Sequence, residues 1–333
     1  MITNGRIGVL LLQLGTPDAP TPAALRTYLR EFLLDRRVVD TSRLIWWPIL
    51  HGIVLTTRPA KSAALYQRVW TNEGSPLLVT SNAQAAGLEE RLNGDRNRPP
   101  IRVAVAMRYG KPSIDEAVDR LLADGCDRLF AFPMYPQYAG ATTGSSLERL
   151  FESIGRRRVV PPVRVLPPYF VDPSYIEALA AGAREDLGDW PADHLVMSFH
   201  GLPKRYAEEG DPYPEHCRAT AAALAQKMGW PADRWTVTFQ SRFGREEWLQ
   251  PYTDAFLRSL AAKRTPRVAV ICPGFTADCL ETIEEIGITG RERYHEAGGG
   301  EYRVLSCVNA RPAWLDAMAT MAERELGGWT QET

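Results

Sequence analysis

His200 closes an apolar run, Leu195 to Phe199, and is followed at once by Gly201-Leu202-Pro203. An imidazole at the carboxyl end of a strand, just before a Gly-x-Pro turn, stands where a cleft opens. There it can take a proton near neutral pH or ligate a metal, and capping a loop carbonyl is the other role open to it. A second constellation runs from Cys272 to Glu285, CPGFTADCLETIEE, which reads as a strand end, a tight turn and a helix. Asp278, Glu281 and Glu285 fall at i, i+3 and i+7, one face of an α-helix. Acids at a helix N-terminus commonly do no more than complement the dipole. Pointed into a cleft, the same acids offer hard oxygen ligands and proton acceptors in a row. With an imidazole across from them they suit Fe(II) or a similar first-row cation.

Three further stretches carry possible chemistry. Trp46-Trp47-Pro48-Ile49-Leu50, continuing through Ile53-Val54-Leu55, is strongly apolar and is followed by Arg58. It is either a buried helix or an exposed lip that admits a flat hydrophobic ligand or rests on a membrane, with Arg58 offering a charge to an acidic group. It is too short and interrupted to span a bilayer. Gly140-Ala141-Thr142-Thr143-Gly144-Ser145-Ser146 precedes a helical stretch and could turn backbone N–H groups toward an anion, although N-capping by Ser145 or Ser146 is the expected role. Trp248 and Tyr109 are either aromatic walls or core.

The elements that must position these residues follow from periodicity. Short β-branched runs, Val9 to Leu14, Val103 to Met107, Leu129 to Phe132, Leu195 to Phe199, Thr236 to Gln240 and Val268 to Cys272, alternate with amphipathic stretches. That is an α/β protein with parallel sheets. Ser113 to Ala123, Pro214 to Met228 and Glu246 to Lys263 have helical spacing with Ser or Pro entry signals near their starts. The two halves repeat in order. Gly15-Thr16-Pro17 answers Gly201-Leu202-Pro203, Arg108-Tyr109-Gly110 answers Arg242-Phe243-Gly244, and Phe132-Pro133 answers Cys272-Pro273. This points to a diverged duplication with its boundary near Pro161-Pro162 or Pro167-Pro168, hence lobes of residues 1–165 and 166–333, the last helix packing back on the first lobe. In doubly wound lobes the ligand lies beyond the carboxyl ends of the strands, which is where the repeated residues fall. No Walker motif and no strand followed by a complete G-x-G-x-x-G is present, which argues against nucleotide chemistry.

Composition narrows the classes further. In 333 residues, 39 Lys and Arg balance 40 Asp and Glu, so no electrostatic reason exists to expect a nucleic-acid partner. The five cysteines, Cys126, Cys217, Cys272, Cys279 and Cys307, contain no C-x-x-C pair, which argues against a disulfide framework, a zinc ribbon or a cysteine-ligated cluster. The lead from Met1 to Gly5 runs into an apolar stretch too brief for a secretory or spanning segment, so a cytoplasmic protein is expected, peripheral at the inner face of the membrane if the Trp46 lip engages it.

LQLGTPD (Leu12 to Asp18), FLLDRRVV (Phe32 to Val39), GSPL (Gly74 to Leu77), MRYGKP (Met107 to Pro112), FPMYPQYAGATTGSS (Phe132 to Ser146), SFHGLP (Ser198 to Pro203), GDPYP (Gly210 to Pro214) and GFTADCLETIEEI (Gly274 to Ile286) together resemble the ferrochelatase family, from near the N-terminus to about Arg311. The resemblance implies two Rossmann-like lobes with parallel four-stranded sheets and flanking helices, the porphyrin held in the cleft between them. It implies that His200 and Glu281 are the facing catalytic and iron-binding pair, with Asp278 and Glu285 on the acidic helix face. Leu14, Arg58, Tyr66, Ser75, Arg108, Tyr109, Trp248 and Phe275 match porphyrin-binding positions. The chain departs from cluster-bearing relatives in having no cysteine after Cys307, so no [2Fe-2S] cluster is expected, and some relatives have His where Cys279 stands.

On this reading the substrates are Fe(II) and protoporphyrin IX, and the products are protohaem and two protons, the last step of haem biosynthesis. No organic cofactor is needed, and a porphyrinogen oxidase would act upstream. A pocket that bends the macrocycle would turn its nitrogen lone pairs out of plane, with the acidic face leading iron in or protons out and His200 accepting pyrrole protons or holding iron. The apolar Trp46 to Leu55 stretch favours protoporphyrin over coproporphyrin. A chelatase for cobalt or another metal and a porphyrin carrier without turnover are the rival readings.

Overall fold

A computed structural model describes residues 5–94, 99–244 and 246–330, so most of the polar lead Met1 to Gly5 lies outside the described residues. The chain divides into two compact units, one of Met1–Met134, Gly140–Pro167 and Met318–Thr333, the other of Tyr135–Ala139 and Pro168–Ala317.

The first unit is built on β1 (Arg6–Thr16), β2 (Ile101–Gly110), β3 (Cys126–Pro133) and β4 (Val163–Val165), in the order β2-β1-β3-β4 with every neighbour parallel. Ile7 and Val9 to Leu12 are wholly buried, as a central strand covered on both faces requires. Leu10, Leu12, Ala104 and Ala106 pack against Val118, Leu121, Leu150 and Ile154. These last come from the helices Ile114–Ala123 and Ser145–Gly155. The first of these starts where the sequence says it should, because Ser113 and Glu116 close a reciprocal capping box.

The second unit repeats the plan with β5 (His194–His200), β6 (Trp235–Gln240), β7 (Arg267–Ile271) and β8 (Glu301–Leu305), again parallel and in the order β6-β5-β7-β8. Val196, Val268 and Val270 pack against Leu257, Leu260, Tyr294 and Tyr302. The repeat extends to backbone detail. Beyond β2, Met107 N donates to Pro112 O at 2.7 Å, and beyond β6, Phe239 N donates to Pro251 O at 2.9 Å. In both units the third strand leads, through a loop, to a π-helical segment that runs into an α-helix: Gly140–Gly144 into Ser145–Gly155, and Glu281–Gly290 into Arg291–Glu296. Such segments are rare and frequently mark functional sites.

Two local expectations are corrected. The helix expected over Glu246 to Lys263 starts only at Thr253. Pro251 has no N–H to give and restricts Gln250, and the preceding backbone is committed elsewhere: Lys204 N donates to Glu247 O and Leu249 N to Leu202 O. Ser145 and Ser146 are not N-caps, because the π-helical turn continues the helix back to Gly140 and leaves both serines buried inside it. The edge strands β4 and β8 were not read from periodicity, being short or polar on alternate positions, VRV and EYRVL.

Candidate active site

In the second unit His200 is the last residue of β5, opposite Gln240 at the end of β6. Its Nδ1 lies 2.7 Å from Gly201 O. A carbonyl can only accept, so Nδ1 carries a proton, and in the neutral ring Nε2 is the nitrogen whose lone pair can take a proton or a metal. The loop-capping role is thus filled by Nδ1, which leaves Nε2 outside that bond. Gly201 is needed at this turn: its N–H donates to Gln240 O at 2.8 Å, and a Cβ there would meet that same oxygen at 2.8 Å and the Trp248 ring at 3.1 Å. Trp248 is buried, tilted against Phe243 at 4.9 Å, and so walls the turn that carries His200.

Glu281 is the first residue of the long π-helical segment, with Glu285 four positions on. Glu285 accepts from Ser241 N at 2.8 Å and from Ser241 Oγ. Burial pushes its carboxyl above the ordinary 4.5, against the opposing pull of the Ser241 bonds and of His200, and Glu281 adds to the rise by repulsion. His200, Glu281 and Glu285 therefore share one electrostatic neighbourhood inside this unit. Gln240 joins them: it accepts from Ser198 Oγ at 2.6 Å and donates to Glu281 O at 3.1 Å. Phe275 is half-buried against the core cluster around Val196.

Asp278 corrects the expected three-acid face. It precedes the helix, and its carboxylate accepts from Thr282 Oγ1 at 2.8 Å, Asn309 Nδ2 at 2.6 Å and Cys307 N at 3.4 Å. Fully engaged in closing the turn, it positions the helix start, and the face reduces to Glu281 and Glu285. The thiols of Cys272, Cys279 and Cys307 are pushed well up, first by burial. They are protonated thiols at neutral pH. Among the described residues, no three His, Cys, Asp or Glu side chains are grouped to hold a metal ion by themselves.

In the first unit the ends of β1 and β2 gather the other residues. Gly15, with φ of 116°, lets β1 pass Tyr109 O where a Cβ would sit 1.7 Å away. Leu14 is half-buried just before it, and Thr16 Oγ1 donates to the buried Ser75 Oγ at 2.8 Å. Arg108 and Tyr109 do not stand open. Arg108 Nη2 reaches Asp35 Oδ2 at 2.5 Å, Arg108 Nε reaches Ser145 Oγ at 2.6 Å, and Tyr109 OH donates to the same Asp35 oxygen at 2.8 Å. Tyr109 is wholly buried and belongs to the core. Burial works to raise the Asp35 carboxyl, but the bonds from Ser145, Arg37 N–H and Tyr109 and the Arg108 charge outweigh it and hold the carboxyl low. Asp35 escaped notice as a site residue although it lies in the FLLDRRVV motif. Its role depends on residues 73 and 110 positions away. Tyr66 is buried on the helix Leu55–Val69, edge-on to Trp70, with Arg58 exposed on the same helix. The stretch Trp46 to Leu55 is divided: Leu50 and Leu55 are buried, Trp47 and Ile53 exposed.

A family model described as Ferrochelatase matches residues 6–326. The ferrochelatase of Thioalkalivibrio sulfidiphilus is 48% identical over 329 residues, covering 98% of this chain and 88% of that protein. That of Rhizobium meliloti is 47% identical over 329 residues, covering 98% and 96%. That of Herminiimonas arsenicoxydans is 50% identical over 326 residues, covering 97% and 88%. Among solved structures, SirB from Bacillus subtilis with Fe3+ superposes with a TM-score of 0.56 at 15% identity, covering 77% of this chain and 93% of that one. The sirohydrochlorin chelatase SirB in complex with cobalt gives 0.54 at 10% identity, covering 96% and 95%. At such identities these structures establish the shared fold alone. With the matches extending over nearly the whole length, the chain belongs to the ferrochelatase family.

Proposed function

We propose that the protein inserts Fe(II) into protoporphyrin IX, giving protohaem and releasing two protons. The observation that carries the site assignment is the state of His200. Its Nδ1 proton is held by Gly201 O, so Nε2 is left as a lone pair in the same neighbourhood as Glu281 and Glu285. The incoming ion must shed water, and the macrocycle must lose its two pyrrole protons. A neutral imidazole accepts a proton from one pyrrole nitrogen, and carboxylates accept protons or exchange the ligands of a hydrated divalent cation. Trp248 keeps water from the turn behind His200. The reaction leaves iron as Fe(II) and so calls on no redox partner or organic cofactor. Its porphyrin would come from oxidation of a porphyrinogen.

The exposed apolar side of the Trp46 to Leu55 stretch supports peripheral contact with the inner face of a membrane from the cytoplasm, as well as a preference for the less polar protoporphyrin. No helix among the described residues is long and apolar enough to cross a membrane. The test is anaerobic mixing of pure protein with Fe(II) and either protoporphyrin IX or coproporphyrin, followed by haem absorbance. Faster insertion into protoporphyrin is expected. Absence of haem with both overturns the reading, and faster insertion into coproporphyrin overturns the substrate assignment.

A further inference from the structure

At the carboxyl end of β6, within the second unit, lies a cavity of about 150 Å³ that opens to solvent. Its walls come from β6, from the helix Thr253–Ala262 and from the stretch Glu285 to Tyr294. Neither His200 nor Glu281 lines it, and the reaction proposed above makes no use of it. The floor is apolar: Phe239, Leu257, Ile286 and Tyr294 are all buried there. The polar groups set in the wall are bonded within the protein. Thr253 Oγ1 donates to Thr238 Oγ1 at 2.8 Å, Ser241 N to Glu285 at 2.8 Å and Gln240 Nε2 to Glu281 O at 3.1 Å. With those groups satisfied, the floor holds water poorly.

The mouth is cationic. Arg242, Arg258 and Arg293 line it and are exposed, and the acid beside them is Asp254. That carboxylate is already shared: Arg258 Nη2 donates to its Oδ2 at 3.2 Å, and Arg242 Nη2 stands 3.8 Å from the same oxygen. Arg242 also lies over the Tyr252 ring, 4.1 Å from its centroid, which holds the guanidinium plane in place. Arg293 makes no ion pair among the described residues. A guanidinium presents five N–H donors in a fixed fork, so three of them around one engaged carboxylate leave donors to spare for a second. A hydrated dication is repelled by such a mouth. A bare phosphate would satisfy the arginines and leave the apolar floor unfilled.

We propose that this cavity binds a small monocarboxylic acid, its carboxylate taken by Arg293 and Arg258 at the mouth and its apolar body packed on Leu257, Ile286 and Tyr294. An apolar cavity of this volume holds a molecule the size of benzene, so the body has about six carbons. The site is separate from iron insertion and does not depend on that reading. One of its walls is nonetheless the π-helical segment that begins at Glu281. Gly290 of that segment stands so close to its surroundings that a Cβ would meet Glu285 O and the Tyr302 hydroxyl at 3.1 Å each. A bound acid would therefore pack the segment between itself and Tyr302 of β8.

Titration calorimetry of the full chain with straight-chain carboxylates tests this. Hexanoate should bind with a Kd of about 1 mM, and affinity should rise about four-fold for each methylene added from propionate to hexanoate. Arg258→Gln with Arg293→Gln, both exposed, should melt as the wild type does and bind hexanoate about ten-fold more weakly, with the weaker binding of 1-hexanol unchanged. Leu257→Phe narrows the floor and should make butyrate bind more tightly than hexanoate. With hexanoate at about ten times its Kd, amides of residues 285–290 should exchange about ten-fold more slowly, and those of β1 at their former rate. No binding of hexanoate at about twenty times that Kd, or an affinity that ignores chain length, overturns the proposal. So does hexanoate held equally well by the arginine variant, which would put the acid elsewhere on the chain, or inorganic phosphate competing as an equal. Failure of the wild type to insert iron would overturn the catalytic reading instead, whatever the calorimetry shows.

Discussion

His200 is set by its neighbour in sequence, and Glu285 by burial and by Ser241, 44 residues away. The bond from His200 Nδ1 to Gly201 O selects the tautomer, so the nitrogen left for chemistry is Nε2. Replacing His200 by Ala removes that lone pair and should lower haem formation at least about a hundred-fold, read as anaerobic initial rates, while near-wild-type rates would remove His200 from the mechanism. Glu285 yields a pH signature. Its folded-state carboxyl titrates above the ordinary 4.5, so in the window upward from 4.5 the native state binds more protons than the unfolded chain. Stability therefore falls as pH rises through that window, and the loss stays in full above it. Glu285→Gln cannot ionise. Its melting temperature relative to wild type should rise as pH is taken from about 4 to about 8. A difference that does not change with pH would show that burial does not control this carboxyl.

At the scale of the element, the π-helical segment Glu281–Gly290 and the turn that leads into it carry the acidic residues of the candidate site. Asp278 ties that turn to Thr282, Asn309 and Cys307, three donors drawn from the helix and from the loop after β8. Asp278→Ala should leave those donors unmet and cost about 2 kcal/mol, seen as a lower urea midpoint with unchanged slope. If Asp278 instead conducted ions, the same variant would keep its stability and lose insertion. The helix face over Cys272 to Glu285 was legible as acidic, but its pitch was not. An α-helical period assigns Asp278 to the row, whereas the π-helical start at Glu281 and the engagement of Asp278 with Asn309, 31 residues on, remove it. No local pattern in ETIEEIGITG distinguishes the two pitches.

At the scale of the molecule, the repeated order β2-β1-β3-β4 and β6-β5-β7-β8 places a largely buried strand, β1 or β5, between two parallel neighbours in each unit. Amide hydrogens of β1 and β5 should exchange slowest and those of the three-residue edge strand β4 far sooner. Comparable rates in β1 and β4 would refute that hierarchy. The duplication was readable because turns after strands demand particular residues, so Gly15 and Gly201, and Pro133 and Pro273, recur at matching strand ends. The same alternation of buried runs and amphipathic stretches determined the α/β class, six of the eight strands and the placing of His200 and Glu281 at strand and helix ends. Tertiary structure alone decided what depends on partners distant in sequence. It turned Tyr109 and Arg108 inward onto Asp35, drew Ser145 from an expected cap into that cluster, and left Trp47 and Ile53 exposed while burying Leu50 and Leu55. The physical reason is one of range: turns, caps and hydrophobic periods are satisfied within a few residues, whereas burial and the sharing of a carboxylate are settled only when the strands have been placed side by side.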